Sequence, residues 1–398
     1  MLGALLLLLG IFASQKDRYS AEMAELSRSI IGDENTARVE SWYFALHDRA
    51  DRLEYRVLGG SAAPFSESVE TTEVVGFFRP DEFSVEEAPP QLVAIAPLPA
   101  EPAPPPPPAR PAPMVIPETR LFLPRPEQNE GVWTTAGLPS TSPEDVLMAK
   151  TFIRPDPARP YASVGVLLLD KRRIRLHMTG GTEDPGGDLG VKGPGVIPVE
   201  HQASLLAAWN GGFRGPHGGY GMVADGKQYR PLRPNFASVA VMRDGTIAMG
   251  TWGRDLSWNS EIVAVRQNAV LLVEGCEVSP RTGEGNNTWG YVEVNSAEFI
   301  TWRSAIGLTR DGDLLVAAGN SLSAQTLARA LWAAGACYAM QLDINTPYVL
   351  TALFFPQADG SIKRTKFMDS MMDNPGRFLT KQTRDFMYAT LDETNFVP

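Results

Sequence analysis

Fifteen of the chain's 33 prolines fall between Pro89 and Pro126, five of them consecutively at 104–108. Proline fixes φ and brings no N–H to a ladder, so this stretch favours extended polyproline II and cannot build a sheet. It divides the 398 residues into two parts that obey different rules. At about 3.1 Å per residue, a stretch of this length reaches on the order of 100 Å when extended. Such a spacer suits a domain held away from a membrane or crossing a cell-wall layer. A docking site for a proline-reading module is the alternative.

Charge follows the same division. Residues 1–149 carry 11 Lys and Arg against 22 Asp and Glu, whereas residues 150–398 carry 25 against 24. The acidity thus belongs to the N-terminal part, and the C-terminal part raises no field against an anionic substrate. A net charge of -10 argues against nucleic acid as a partner. Hydrophobic residues at 43% and charged residues at 21% are ordinary for a globular protein, so the bulk of the chain folds. With two cysteines, Cys276 and Cys337, neither a disulfide scaffold nor a multi-cysteine zinc site is available. The two pair if the chain is exported, or stay separate and buried.

Residues 2–13, LGALLLLLGIFA, are too short to cross a bilayer, which takes about 20 apolar residues. They fit the core of a signal peptide, although no basic residue precedes them and no clear cleavage site follows. A truncated membrane anchor or a buried apolar helix are the other readings. In the next segment Val39, Trp42, Leu46 and Leu53 recur at helical steps, with Asn35 or Thr36 as a cap. That helix packs on a neighbour, lies beside a membrane or self-associates. The chain therefore divides into residues 1–19, a signal or truncated anchor; 20–60, helical; 61–148, an acidic proline-rich linker; and 149–390, a folded domain. The expected location is extracytoplasmic, anchored or secreted, with the membrane as a partner through the N-terminal segment.

From about residue 150 the texture is short strands and glycine turns. Residues 162–169 (ASVGVLLL) form a strand that Asp170 and Lys171 can turn into 173–178 (RIRLHM). Residues 239–250 (VAVMRDGTIAMG) and 306–319 (IGLTRDGDLLVAAG) each place Arg-Asp-Gly between apolar arms, the signal of a tight antiparallel hairpin. Residues 262–273 add a further strand pair. Ser323 caps a helix with Leu327 and Leu331 on one face, and Gly335 ends it. A strand at 338–344 follows, then one at 348–355. The expected class is α+β, with mostly antiparallel sheets and a few covering helices. No P-loop, dinucleotide fingerprint or Gly-x-Ser-x-Gly elbow is present.

Three constellations can carry chemistry. In Ala207–Met222 a glycine-rich loop follows Asn210, and its N–H groups can approach an anion closely, with Arg214 and His217 adding a cation and a titratable group. A structural glycine loop with Asn210 capping a turn is equally consistent. Arg303 at a strand start can clamp a phosphate or carboxylate, or form an ordinary salt bridge. Asp343 closes an apolar strand beside a loop, a common place for an acid, base or nucleophile, and equally for a turn-forming aspartate. The histidines His47, His177, His201 and His217 show no metal-ligand spacing. No cofactor is expected, although carboxylates and carbonyls leave room for calcium.

In their order these pieces resemble the phosphodiester glycosidase family, the bacterial relatives of the lysosomal uncovering enzyme. That family has Asn-Gly-Gly-Phe/Tyr-Phe after an apolar strand, matched by Asn210-Gly211-Gly212-Phe213 with Arg214 in the last place. A glycine-bearing stretch follows, here Tyr220-Gly221-Met222-Val223. Then comes Arg-x-Ala-Ile-Gly, matched by Arg303-Ser304-Ala305-Ile306-Gly307. The family's Leu-Asp-Gly-Gly-Gly-Ser stands as Leu342-Asp343-Ile344-Asn345-Thr346-Pro347, so the aspartate is kept and the glycines and serine are replaced. The resemblance implies a phosphodiester-glycosidase-like domain that cleaves the glycosidic bond of a sugar-1-phosphodiester. In it Asp343 acts as general acid/base or nucleophile, and Asn210 orients the sugar. Arg303 and the N–H groups of Gly211 and Gly212 bind phosphate, while Arg214, His217 and Asn345 contact substrate. Glu183, Asp184 and Asp188 are candidates for a second carboxylate. A non-catalytic glycan- or wall-binding domain on a proline-rich stalk is the rival reading. Another takes the N-terminal helix and spacer as a scaffold for partners.

Overall fold

The computed structural model describes residues 21–65, 73–74, 114–142, 145–290, 299–371 and 374–392. The apolar segment 2–13 and most of the proline-rich stretch lie outside these residues.

A seven-stranded sheet forms the centre. Its strands are β1 (Met148–Ile153), β2 (Val164–Leu169), β10 (Leu271–Glu274), β11 (Glu277–Val278), β12 (Thr301–Thr309), β13 (Leu314–Leu322) and β14 (Ala336–Ile344). They lie in the order β11-β10-β14-β12-β13-β2-β1, every pair antiparallel. A five-stranded sheet comprises β3 (Ile174–Thr179), β4 (Leu205–Asn210), β15 (Thr351–Pro356), β16 (Ile362–Lys366) and β17 (Phe386–Leu391), ordered β16-β15-β4-β17-β3. A third sheet holds β5 (Met222–Ala224), β6 (Lys227–Arg230), β7 (Ala237–Met242), β8 (Ile247–Thr251) and β9 (Ile262–Asn268). The class is α+β with mostly antiparallel sheets, as the turn signals predict.

Strand β2 shows why its sequence is apolar throughout. Successive side chains point to opposite faces. Leu167 and Leu169 enter the core shared with Trp209, Phe354 and Phe386 of the five-stranded sheet. Val164, Val166 and Leu168 enter the core beneath α2 (Ala324–Ala333), with Leu327 and Leu331. Each such side chain, fully buried, contributes roughly 1.5–3 kcal/mol. Ser323 and Thr326 form the capping box that starts α2, and Gly335 at φ 94 follows its end.

Both Arg-Asp-Gly turns close hairpins, β7–β8 and β12–β13. Two other expected pairings differ. Strand β2 and β3 do not form a hairpin, because Asp170–Arg173 passes the chain from the central sheet to the five-stranded one. Strands β9 and β10 likewise enter different sheets. Cys276 and Cys337 are disulfide-bonded.

The packed body reaches further toward the N-terminus than residue 149. Met114 is buried beneath α2, the Arg120 N–H donates to the Ala333 carbonyl, and Thr134 bridges to Lys150. On the other side of the proline-rich stretch, Phe65 packs against Phe152 and Phe367, and Ala62 donates its N–H to the Glu127 carboxylate. The linker expected over 61–148 is therefore docked at both its ends.

The N-terminal helix α1 (Ala21–Leu58) is broken only at Gly32, with φ 80. Asn35 and Thr36 lie inside it and do not cap a new start. The stripe of Trp42, Leu46 and Leu53 faces outward, with exposures of 56%, 49% and 62%. The helix packs instead through Glu40, Tyr43 and Asp48. Its anchor is a buried ion pair between Asp48 and Arg159 at 2.8 Å, joined by the Tyr161 hydroxyl. No helix among the described residues is long and apolar enough to cross a membrane.

Candidate functional site

The seven-stranded sheet and the five-stranded sheet that holds β4 meet where β4 and β14 end. The Asp343 N–H donates to the Gly211 carbonyl at 2.9 Å. Asn210 Nδ2 donates to Ser304 Oγ at 2.9 Å, and Ser304 Oγ donates to the Asp343 carbonyl at 2.8 Å. Asn210 Oδ1 accepts the Leu350 N–H. Asn210 therefore joins three strands and fixes the backbone of Asp343. Its amide is spent on protein groups. Ser304 completes the relay. Its place in the Arg-Ser-Ala-Ile-Gly segment is the one sequence signal that marks it.

Asp343, Asn210, Tyr348, Arg377, Arg384 and Asp385 line a cleft of about 130 Å³. Drug-sized ligands take roughly 300–1,000 Å³, so this cleft admits one end of a larger substrate. Asp343 Oδ1 accepts its neighbour Ile344's N–H, and Oδ2 accepts from Arg384 Nη1 at 2.5 Å. Burial raises the Asp343 pKa above the usual aspartate value, and the Arg384 charge opposes it without prevailing. Arg384 lies 3.5 Å from the centre of the Tyr348 ring, a cation–π contact that fixes its plane. Arg384 carries no motif of its own and follows the glycine loop by more than 160 residues, so sequence reasoning missed it.

The glycines of Asn-Gly-Gly make room for side chains packed beneath them. A Cβ on Gly211 would lie 2.0 Å from Asp385 Oδ2, and one on Gly212 would lie 2.8 Å from the Arg266 guanidinium carbon. Asp385 and Arg266 form a buried ion pair directly beneath, at 2.8 Å and 3.1 Å. The Gly211 N–H donates to the Asp385 carbonyl and the Gly212 N–H to the Asp385 carboxylate. Both N–H groups are thus committed to Asp385.

Arg303 does not join Asp343. Trp302, Ile306 and Leu308 enter the core between the sheets and Ala305 the core beneath α2, so alternation sends Ser304 toward the cleft and Arg303 away from it. Its guanidinium donates to the carbonyls of Leu322, Trp289 and Phe299 and to Gln341 Oε1. At 1% exposure it braces the sheet and has no surface for a phosphate. Burial lowers its pKa to about 9, which leaves it cationic at neutral pH.

Arg214 pairs with Asp184 at 3.0 Å, and Asp184 also accepts the Gly215 N–H. Of the three further carboxylates, Asp184 is the one buried beside the site and within electrostatic range of Arg384. Glu183 is exposed, and Asp188 pairs with Arg230 at the surface. Burial, and then the charges of Arg214, Arg28 and Arg384, hold His217 down to about 3. It is a neutral imidazole at working pH. Asn345 adopts φ 75, a left-handed conformation that asparagine tolerates better than most residues. It thus keeps the backbone freedom of the glycine it replaces in the resembled motif. Its amide accepts from Thr301 Oγ1 and donates to Glu40 of α1. Among the described residues no three His, Cys, Asp or Glu side chains group closely enough to hold a metal ion.

No protein-family model and no curated protein sequence matches the chain. Solved structures give distant likenesses. The zebrafish N-acetylglucosamine-1-phosphodiester alpha-N-acetylglucosaminidase catalytic domain, auto-inhibited by its pro-peptide, is 16% identical; the match covers 64% of this chain and 87% of that one, with a TM-score of 0.38. A hypothetical protein from Synechocystis is 10% identical over 64% of this chain and 63% of its own, with a TM-score of 0.36. A Burkholderia pseudomallei protein described as exported is 12% identical over 58% and 74%, with a TM-score of 0.28.

Proposed function

We propose that the chain is a hydrolase that cleaves the glycosidic bond of a sugar-1-phosphodiester in cell-envelope or exopolysaccharide material. The substrate class is the one that the motif resemblance implies. The observation that carries the reading is Asp343: a buried carboxyl with a raised pKa, in a cleft, beside the cation Arg384. A carboxyl raised in this way is suited to giving a proton. Arg384 binds a phosphate oxygen, Asp343 protonates the bridging oxygen, and the bond from the anomeric carbon to that oxygen breaks. Water supplies the new bond to carbon, and its proton passes to Asp184, the candidate second carboxylate within electrostatic range of Arg384. A phosphate ester is a good leaving group, so a symmetric carboxylate pair is not required. The disulfide supports an oxidising, extracytoplasmic location. Anchoring through residues 2–13 belongs to the same proposal.

A second reading, a glycan-binding module, is favoured by the tie between Asp343 and Arg384, which an incoming substrate must loosen. The test is sugar release by the full chain from a panel of sugar-1-phosphodiesters, with Asp343→Asn as control. Release by the wild type and its loss in the variant support hydrolysis. Saturable binding without release supports the module, and release unchanged by Asp343→Asn removes that residue from the chemistry.

A further inference from the structure

Helix α1 touches the site with one end and is pinned at the other. Asp48 and Arg159 hold it in register through two hydrogen bonds, at 2.8 Å and 3.2 Å, and Phe44 meets Phe299 edge-on. Twenty residues before Asp48, Arg28 Nη1 donates to the Tyr348 hydroxyl at 3.0 Å. Arg28 is 11% exposed and pairs with Glu40 at 3.2 Å, and Glu40 in turn accepts from Asn345. The helix therefore meets the chain just where the Asp343 motif departs from the family pattern.

Arg384, from the sheet domain, lies over the same Tyr348 ring at 3.5 Å, while Arg28 lies at 6.0 Å. Two guanidinium groups from separate elements thus converge on one phenol. They repel each other, and each already holds one carboxylate, Glu40 for Arg28 and Asp343 for Arg384. Both also act on His217, together with Arg214. Like charges gathered in a partly buried place are stabilised when an anion joins them. A phosphate offers acceptor oxygens to two forked donors at once.

We propose that α1 is a working wall of the site, and that Arg28 and Arg384 together clamp a phosphate-bearing ligand at Tyr348. This takes its ligand class from the sugar-phosphodiester reading, but its geometry does not depend on turnover.

The experiment is titration of the full chain with inorganic phosphate, and with a sugar-1-phosphate, by calorimetry. Arg28→Gln keeps a donor for Tyr348 and removes the charge; Arg28→Lys keeps the charge. Asp48→Asn loosens the helix while leaving the Arg28 side chain itself unaltered. Melting without phosphate confirms that each variant is folded. Saturable binding is expected in the wild type, with Kd at least tenfold weaker in Arg28→Gln and Asp48→Asn and largely restored in Arg28→Lys. Unchanged Kd in Arg28→Gln or in Asp48→Asn would overturn the clamp. Tighter binding or faster turnover in either would overturn it too, since α1 would then be an obstruction. Phosphate binding that depends on Arg28 in a chain that releases no sugar keeps the clamp and removes the hydrolase reading. Hydrolysis with an unchanged KM in Arg28→Gln does the reverse.

Discussion

Asp343 balances two opposed effects, burial raising its pKa and Arg384 lowering it, and burial is the larger. In the proposed reaction it gives its proton, so the rate is expected to fall as pH rises through its raised value. The sign for stability is the same. A folded-state pKa above the unfolded value adds stability that is complete below about 3.8 and lost as pH rises through the folded value. Asp343→Asn is expected to lower kcat by roughly 10²–10⁴-fold and to flatten that alkaline loss. A pH series of rates and melts checks both. Gly211→Ala tests a different residue. Its new methyl meets the Asp385 carboxylate, and disrupting the buried pair with Arg266 costs about 3–5 kcal/mol, measured by denaturant unfolding. Asn-Gly-Gly was legible as a special loop, but its reason was not. Asp385 and Arg266 lie far along the chain, and no local pattern announces that a carboxylate will lie beneath a glycine.

At the level of the element, alternation along β12 decides what two neighbours do. Arg303 looked like a ligand clamp because it stands at a strand start; the pleat turns it away and turns Ser304 inward. Arg303→Lys has three N–H donors where four acceptors wait, so at least one of these buried hydrogen bonds is lost. The expected loss is about 1–3 kcal/mol of stability with KM unchanged. A raised KM at full stability would return Arg303 to the phosphate. Helix α2 was fully legible, because its cap, apolar face and terminal glycine are all local signals. Ser323→Ala is expected to remove about 1 kcal/mol. The outer stripe of α1 was legible as a stripe, but buried ion pairs on the opposite face chose how the helix docks.

For the whole molecule, the antiparallel α+β class followed from the hairpin turns, while the partition of strands among sheets did not. A turn signal between β2 and β3 says that the chain reverses, not which sheet receives it. The disulfide closes a separation of 61 residues, and its loss costs about 4 kcal/mol in the chain-entropy model. Unfolding with and without reductant measures this. Acid provides a second global test. Burial, then His201 and Arg175, depress His177 from 6.5 to about 3. A depressed folded-state pKa gives stability that is complete above 6.5 and is lost as pH falls toward 3. His177→Gln is expected to melt with a shallower decline between those limits, and an equally steep decline would assign the acid loss elsewhere.

The docked ends of the proline-rich stretch change what that stretch can be. Ala62 and Ser61 are gripped by the Glu127 carboxylate, and Phe65 and Met114 are each packed on the same body. A segment with both ends on one body sets no distance between that body and anything else. If a protease site is inserted within residues 75–113 and cut, the two fragments are expected to migrate as one particle until denatured, with the N-terminal helix still in its seat.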